Sequence, residues 1–162
     1  KYCIMKKVLI ALDYDPSSQK VAEAGYNLAK ATNAQTVLLH VASDATYYSS
    51  LNYSPIMGFG GFSNSYLIET ETLEEIKEAA QIFLDKAKEH LSDNKIKTIV
   101  KDGDFAETIL NTAKDLDAEI IVMGTHSRRG LDKILMGSVA EKVLQHSSIP
   151  VFIIPTKTFE KK

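Results

Sequence analysis

A single cysteine, Cys3, excludes an internal disulfide, and tryptophan is absent altogether. No charged stretch followed by an apolar run and a small-residue cleavage site opens the chain, so a reducing cytoplasm is the expected compartment. Charge of one sign is equally scarce. Lys and Arg number 19 against 21 Asp and Glu, a net charge of −2, which lacks the excess that nucleic acid or an anionic membrane calls for, and neither is expected as a partner. The longest apolar runs, at 8–12 and 149–154, fall far short of the roughly 20 residues that span a bilayer. Neither a Gly-x-x-x-x-Gly-Lys phosphate loop nor a Gly-x-Ser-x-Gly elbow occurs, which removes the P-loop and serine-hydrolase classes. The histidines do not fall at metal-ligand spacing, and no structural zinc is expected. Asn52-Tyr53-Ser54 fits the glycosylation acceptor pattern and is read as a chance match in a chain without an export signal.

What remains is a chain of 162 residues, 44% apolar, enough for one domain with a hydrophobic core. Short apolar runs of strand type alternate with segments of helical period. Strands are expected at Val8–Leu12, Thr36–Val41, Ile96–Lys101, Ile120–Met123 and Val151–Ile154, the third more exposed and therefore at an edge. Asp15-Pro16 reads as a cap followed by proline at the first helical position, opening a helix that carries Val21, Gly25, Leu28, Ala29 and Thr32. Thr72-Leu73-Glu74-Glu75 is a capping box ahead of an apolar stripe from Leu73 through Ile76, Ala80, Phe83, Leu84 and Ala87 to Leu91. Asp104 with Glu107 can cap a third helix bearing Ile109, Ala113 and Leu116, and a fourth covers about 137–145. The domain is expected over 5–156, with Lys1–Ile4 as an upstream extension. Residues 42–71 form a long loop insertion without period, rich in aromatics from Tyr47 to Tyr66 and in glycines at Gly58, Gly60 and Gly61. Such a loop suits a mobile cover for a ligand or a contact with another protein, and burial against the domain is the plain alternative.

Strand and helix in strict alternation argue for an α/β fold, an open parallel sheet with helices on both faces. Ligands bind such sheets at the carboxyl ends of the strands, where the strand order reverses. Asp13, Val41 and Gly124 are therefore the residues of interest. The segment from Gly124 through His126, Ser127, Arg128, Arg129 and Gly130 follows a buried strand, and Gly137-Ser138 opens a helix. Small residues there let main-chain N–H groups approach an anion, the helix dipole favours it, and Ser138 adds a hydroxyl donor. An ordinary strand-to-helix connection with solvated arginines fits the same letters. Asp13 can accept from a ribose hydroxyl or hold a magnesium ion, or equally satisfy the N–H groups of its own turn. His40, at the end of a buried strand, reads as hydrogen-bonded structure rather than a ligand.

These residues together resemble the universal stress protein family. The resemblance runs from Met5 to Pro155: a first strand ending in Asp13, Leu39-His40-Val41, Gly103-Asp104, Val122-Met123-Gly124-Thr125-His126, the run from Leu131 to Leu144, and Ser148-Ile149-Pro150-Val151. Family members of the ATP-binding branch carry Gly, two residues, Gly, nine residues, then Gly with Ser or Thr. Gly124 and Gly137-Ser138 keep this spacing, and Ser127, which retains the main-chain N–H, stands at the second glycine. The resemblance implies a five-stranded sheet of order 3-2-1-4-5. It implies ATP, or AMP or ADP, with Mg2+, taken by Ala11, Asp13 and Val41 around adenine and ribose. Met123, Gly124, His126, Ser127, Arg128, Gly137, Ser138 and Val139 would surround the phosphates, and Asp13 would serve as metal ligand. It further implies a homodimer along Val151–Ile154 and a role in stress response. Two other readings stay open: a slow ATP hydrolase or adenylyl or phosphoryl transfer enzyme, for which no catalytic residue is assigned, and a nucleotide-free scaffold for a protein partner.

Overall fold

The computed structural model describes residues 6–43, 72–125 and 136–156. Nine elements alternate in order: β1 (Lys7–Ala11), α1 (Ser18–Ala31), β2 (Gln35–Ala42), α2 (Leu73–Leu91), β3 (Lys97–Asp102), α3 (Phe105–Asp115), β4 (Ile120–Gly124), α4 (Ser138–His146) and β5 (Val151–Ile154). All strand pairs are parallel, and the sheet order is β3-β2-β1-β4-β5, as the family resemblance implies. β3 lies at one edge, as its exposed pattern requires. The expected extension at 1–4 and the part of the expected insertion from 44 to 71 lie outside the described residues. Its first residue, Ala42, closes β2.

Side chains along a strand alternate between faces, and the core divides accordingly. Val8, Ile10, Leu38, Val122 and Ile154 pack with Val21, Ala22 and Ala29 of α1 and with Ala80, Phe83, Leu84 and Ala87 of α2. Leu9, Val37, Leu39, Val41, Ile121 and Met123 pack on the opposite face with Ala106, Ile109 and Ala113 of α3 and Ala140 and Val143 of α4. Helices therefore cover both faces in pairs, which is why the strands read as continuous apolar runs.

Side-chain caps fix two of the four described helix starts. At α2 the Glu75 N–H donates to Thr72 Oγ1 at 3.3 Å and the Thr72 N–H donates to Glu75 Oε2 at 3.0 Å, the reciprocal box expected from the sequence. At α3 the Glu107 N–H donates to Asp104 Oδ1 at 2.9 Å. The start of α1 differs from expectation. Asp15 does not cap the helix: its Oδ1 accepts from the N–H of Ser17 at 2.8 Å and from the Ser17 hydroxyl, and the helix begins only at Ser18. An aspartate that bonds the main chain two residues on makes a turn of its own, and this competes with capping.

Two glycines have structural reasons. Gly103, between β3 and α3, has φ +130°, a conformation that side-chain-bearing residues rarely adopt. Gly25 lies in α1 where the helix crosses β1 and β4, and a Cβ there would stand 2.6 Å from Ile10 Cδ1, 2.8 Å from Ile10 Cγ1 and 3.2 Å from Val122 Cγ1. Ile10 and Val122 are fully buried and have no space to yield. We expect Gly25→Val to destabilise the fold by about 2–3 kcal/mol through overpacking. Urea titration checks this, and a valine variant as stable as the parent contradicts the close approach.

Candidate functional site

The sheet order reverses between β1 and β4, whose connections leave toward opposite faces: β1 runs into α1, and β4 runs toward α4. A crevice follows at their carboxyl ends. β1 and β4 pair through Val8–Ile120, Leu9–Ile121 and Ile10–Val122, which brings Ala11 and Asp13 beside Met123 and Gly124. On the other side of β1, Ala11 is in register with Leu39, and the Leu12 N–H donates to Leu39 O at 2.9 Å, carrying the pairing past the strand end.

The side chains expected around a ligand share one parity. Val41 and Met123 are buried in the core on the α3–α4 face, and Ala11 and Val139 pack, partly buried, against the same cluster. Asp13 is half-buried at the exit of β1, where Ser18 at the start of α1 donates its hydroxyl to the Asp13 carbonyl at 2.5 Å and lies 3.1 Å from Oδ1. This hydroxyl holds the carboxylate at the mouth of the crevice. Gly124 ends β4, Gly137 is the N-cap of α4, and Ser138 is its exposed first residue. The Gly137 N–H donates to the carbonyl of Thr125 at 3.0 Å, so the start of α4 is tied to the end of β4. Among the described residues no side chain caps α4. Gly137 has φ −60° and ψ 151°, which any residue can adopt, so only the space left by its missing Cβ sets it apart. The expected residues His126, Ser127 and Arg128 lie outside the described residues.

Beneath the crevice, His40 is structural, as its position in the strand anticipates. Its Nδ1 is 2.8 Å from the Leu12 carbonyl, and since a carbonyl only accepts, that nitrogen carries the proton. The ring packs on Tyr14 with centroids 4.3 Å apart and edge-on to Phe83 at 5.7 Å. Leu12 is thereby gripped by β2 through both its N–H and its carbonyl, which fixes the place of the adjoining Asp13.

Ion pairs line the carboxyl-end rim. Lys77 of α2 reaches Asp102 at 2.7 Å, and this partner holds the Asp102 carboxyl below the usual range and raises the Lys77 ammonium. Asp104 receives the Glu107 N–H and then Lys142 of α4, at 3.1 and 3.2 Å, and both keep its carboxyl below the ordinary 3.8. Lys142 lies one turn into α4, so this contact ties the beginning of α3 to the helix that starts at Gly137. The sequence did not announce the Lys142 contact, because partners 38 residues apart leave no local pattern, and the Ser18 contact, only five residues from Asp13, fits no capping spacing. Among the described residues no group of three or more His, Cys, Asp or Glu could hold a metal ion by itself. Among the same residues, no helix is long and apolar enough to cross a membrane.

A second concavity, of about 580 Å3, opens at the opposite end of the sheet between Leu110, Lys114, Asp117, His146 and Ile149. Both α3 and α4 present their carbonyl ends there, which disfavours an anion. The carboxyl-end crevice is the better candidate for a phosphate ligand.

Sheet order, two-faced helical cover and a crevice at the order reversal define an open α/β protein of the ligand-binding, doubly wound class. The chain belongs to the universal stress protein family, whose sequence model matches residues 5–155. Universal stress protein YxiE of Bacillus subtilis is 31% identical over 153 residues, covering 93% of this chain and 99% of the relative. Universal stress protein MJ0577 of Methanocaldococcus jannaschii is 31% identical over 156 residues, covering 94% and 96%. The solved structure of MJ0577 superposes with a TM-score of 0.67 at 25% identity, covering 96% of this chain and 99% of that one. A universal stress protein solved in complex with cAMP shares the fold at a TM-score of 0.60 and 18% identity, over 94% of this chain and 98% of that one. The resemblance drawn from the sequence is borne out at the level of family and fold.

The rim carries a pH dependence whose direction follows from Asp104. Its folded carboxyl titrates below its ordinary value, so on acidification the unfolded chain takes up the proton first, and the stabilisation present above about pH 4 is lost as pH falls through the folded value. Asp104→Asn keeps an acceptor for the Glu107 N–H and removes the charge facing Lys142. The variant is expected to melt below the parent at neutral pH, with the difference closing toward pH 3. A gap unchanged by acidification contradicts the ion pair.

Proposed function

We propose that this chain binds an adenine nucleotide, foremost ATP with Mg2+, in the carboxyl-end crevice, and that it works in the stress response as a nucleotide-dependent homodimer of the cytoplasm. The observation that carries this reading is that Asp13, at the exit of β1, and the start of α4, tied to the end of β4, both lie at the carboxyl ends of the two strands between which the sheet order reverses. Asp13 is fixed there by Ser18, and α4 by the bond from Gly137 to Thr125. Ala11 flanks adenine and ribose, Val41 meets them with its main-chain polar groups, and Met123, Gly124, Gly137, Ser138 and Val139 surround the phosphates. His126, Ser127 and Arg128 complete that set by their place in the family pattern. First-turn N–H groups and the helix dipole suit the phosphate charge. Asp13 would be the one protein carboxylate on Mg2+, with phosphate oxygens and water filling the other positions, a usual arrangement for this ion. The cAMP complex of a structural neighbour supports a cyclic or linear adenine nucleotide as the ligand class.

ATP with Mg2+ is expected to raise the melting temperature, the gain reaching about 2.7 kcal/mol at a hundredfold excess over Kd. Calorimetry and mass spectrometry of nucleotide released from gently purified protein complete the test. Recovery of intact ATP supports a binding protein, and accumulating ADP or AMP points to turnover. No thermal shift at millimolar nucleotide together with no binding heat overturns the proposal. Gly137→Val is expected to fold normally, since its main-chain angles are open to valine, and yet to lose binding.

β5 supports the dimer. Among the described residues it pairs only with β4, Phe152 is 47% exposed and Val151 and Ile153 are half-buried, so these residues leave an apolar sheet edge without a strand partner. Pairing across a two-fold axis would remove that liability. Single cysteines along 151–154 in a Cys3→Ser background are expected to cross-link between chains at one or more positions. Failure at every position counts against this edge.

A further inference from the structure

Thr125, the residue after β4, joins three parts of the chain. Its N–H donates to the Ile154 carbonyl at 3.0 Å, and its own carbonyl accepts from the Gly137 N–H at 3.0 Å. Its hydroxyl oxygen accepts from the Thr156 N–H at 3.1 Å and lies 3.2 Å from the Thr156 hydroxyl. A hydroxyl has one proton and two lone pairs, so Thr125 Oγ1 sustains both contacts at once. Lys20 of α1 holds the same post-β5 segment by donating to the Pro155 carbonyl at 2.6 Å. The start of α4 and the segment leaving β5 thus bond to one residue, 12 positions from Gly137 and 31 from Thr156.

We propose that Thr125 is a positioning residue that sets the start of α4 for the nucleotide phosphates and carries occupancy of that site to the segment following β5. The inference rests on the nucleotide reading above. Its physical basis is that one residue carries both contacts. The Thr125 carbonyl holds the Gly137 N–H and its hydroxyl oxygen holds the Thr156 N–H, so a shift of this residue is felt at both. A phosphate that draws on the first turn of α4 pulls through Gly137 on the Thr125 peptide, and the hydroxyl moves with it against Thr156. Coupling of this kind is reciprocal: whatever loosens Thr156 weakens the nucleotide.

The test compares the full-length parent with Thr125→Ser, Thr125→Val, Thr156→Val and the Thr125→Val/Thr156→Val double variant. ATP–Mg2+ affinity is measured by calorimetry, and exchange of the Thr156 amide by NMR with and without ATP–Mg2+. Valine keeps the shape of threonine and removes the hydroxyl, while serine keeps the hydroxyl. In the parent and in Thr125→Ser, nucleotide is expected to slow Thr156 exchange. In Thr125→Val that response is expected to vanish and affinity to fall about three- to tenfold, the worth of one hydrogen bond. The double variant is expected to bind no more weakly than Thr125→Val, since both changes act on one contact. A purely structural threonine would lower the melting temperature and leave the nucleotide dependence of Thr156 exchange intact, which overturns the inference. Serine as impaired as valine also overturns it. Should Thr125→Val not fold, Thr125→Ala decides, because it too removes the oxygen that accepts the Thr156 N–H, and a parent-like exchange response in that variant contradicts the coupling. A parent that binds no nucleotide overturns the nucleotide reading and this inference together, whereas a parent that binds and a Thr125→Val that binds equally overturns this inference alone.

Discussion

β1 has no side that faces water. Val8, Leu9 and Ile10 are successive residues pointing to alternate faces, and each is at most 1% exposed. A strand of this kind requires helices on both faces and strands on both edges, and the molecule supplies α1 and α2 on one face, α3 and α4 on the other, with β2 and β4 alongside. Because the chain crosses to one side of β1 for β2 and β3 and to the other for β4 and β5, the crevice at the carboxyl ends is a consequence of burying that strand. Gly25 shows how tightly the requirement is met: α1 approaches β1 and β4 so closely that there is no room for a methyl group.

The crevice is held from below and from the sides by polar contacts that would otherwise look incidental. His40 grips the Leu12 carbonyl, Ser18 holds Asp13, Asp104 and Lys142 join α3 to α4, and Thr125 ties α4 to the exit of β5. Exposed ion pairs such as Asp104 with Lys142 contribute little to stability alone. Two of them, Lys77 with Asp102 and Asp104 with Lys142, stand at the end of the sheet where the family resemblance puts the nucleotide, whereas the other concavity lies between the carbonyl ends of α3 and α4.

Much of this architecture was legible in the letters. Four apolar runs and one more exposed alternating segment located the five strands to within a residue or two, since parallel strands covered on both faces read as apolar runs and an edge strand does not. The Thr72 box located the start of α2, and Asp104 that of α3, because capping is a contact across three residues. Asp15-Pro16 misled by two residues for a related reason: an aspartate can satisfy its own turn as readily as a helix. In the site, the strand ends pointed to Asp13, Val41 and Gly124, while Ala11 and Met123 came only with the family resemblance. Thr125 did not emerge as a site residue, since what distinguishes it is a partner 31 positions away brought close by the fold.

The central claim is that the carboxyl-end crevice is the nucleotide site. Photo-cross-linking with an azido-adenine nucleotide and Mg2+, followed by peptide mass spectrometry, reads the location directly. The account predicts label in the peptides bearing Ala11 to Asp13, Val41 and Val139, competed away by unmodified ATP. Competable label confined to the peptides bearing Leu110, Lys114 and His146, at the opposite end of the sheet, would contradict it.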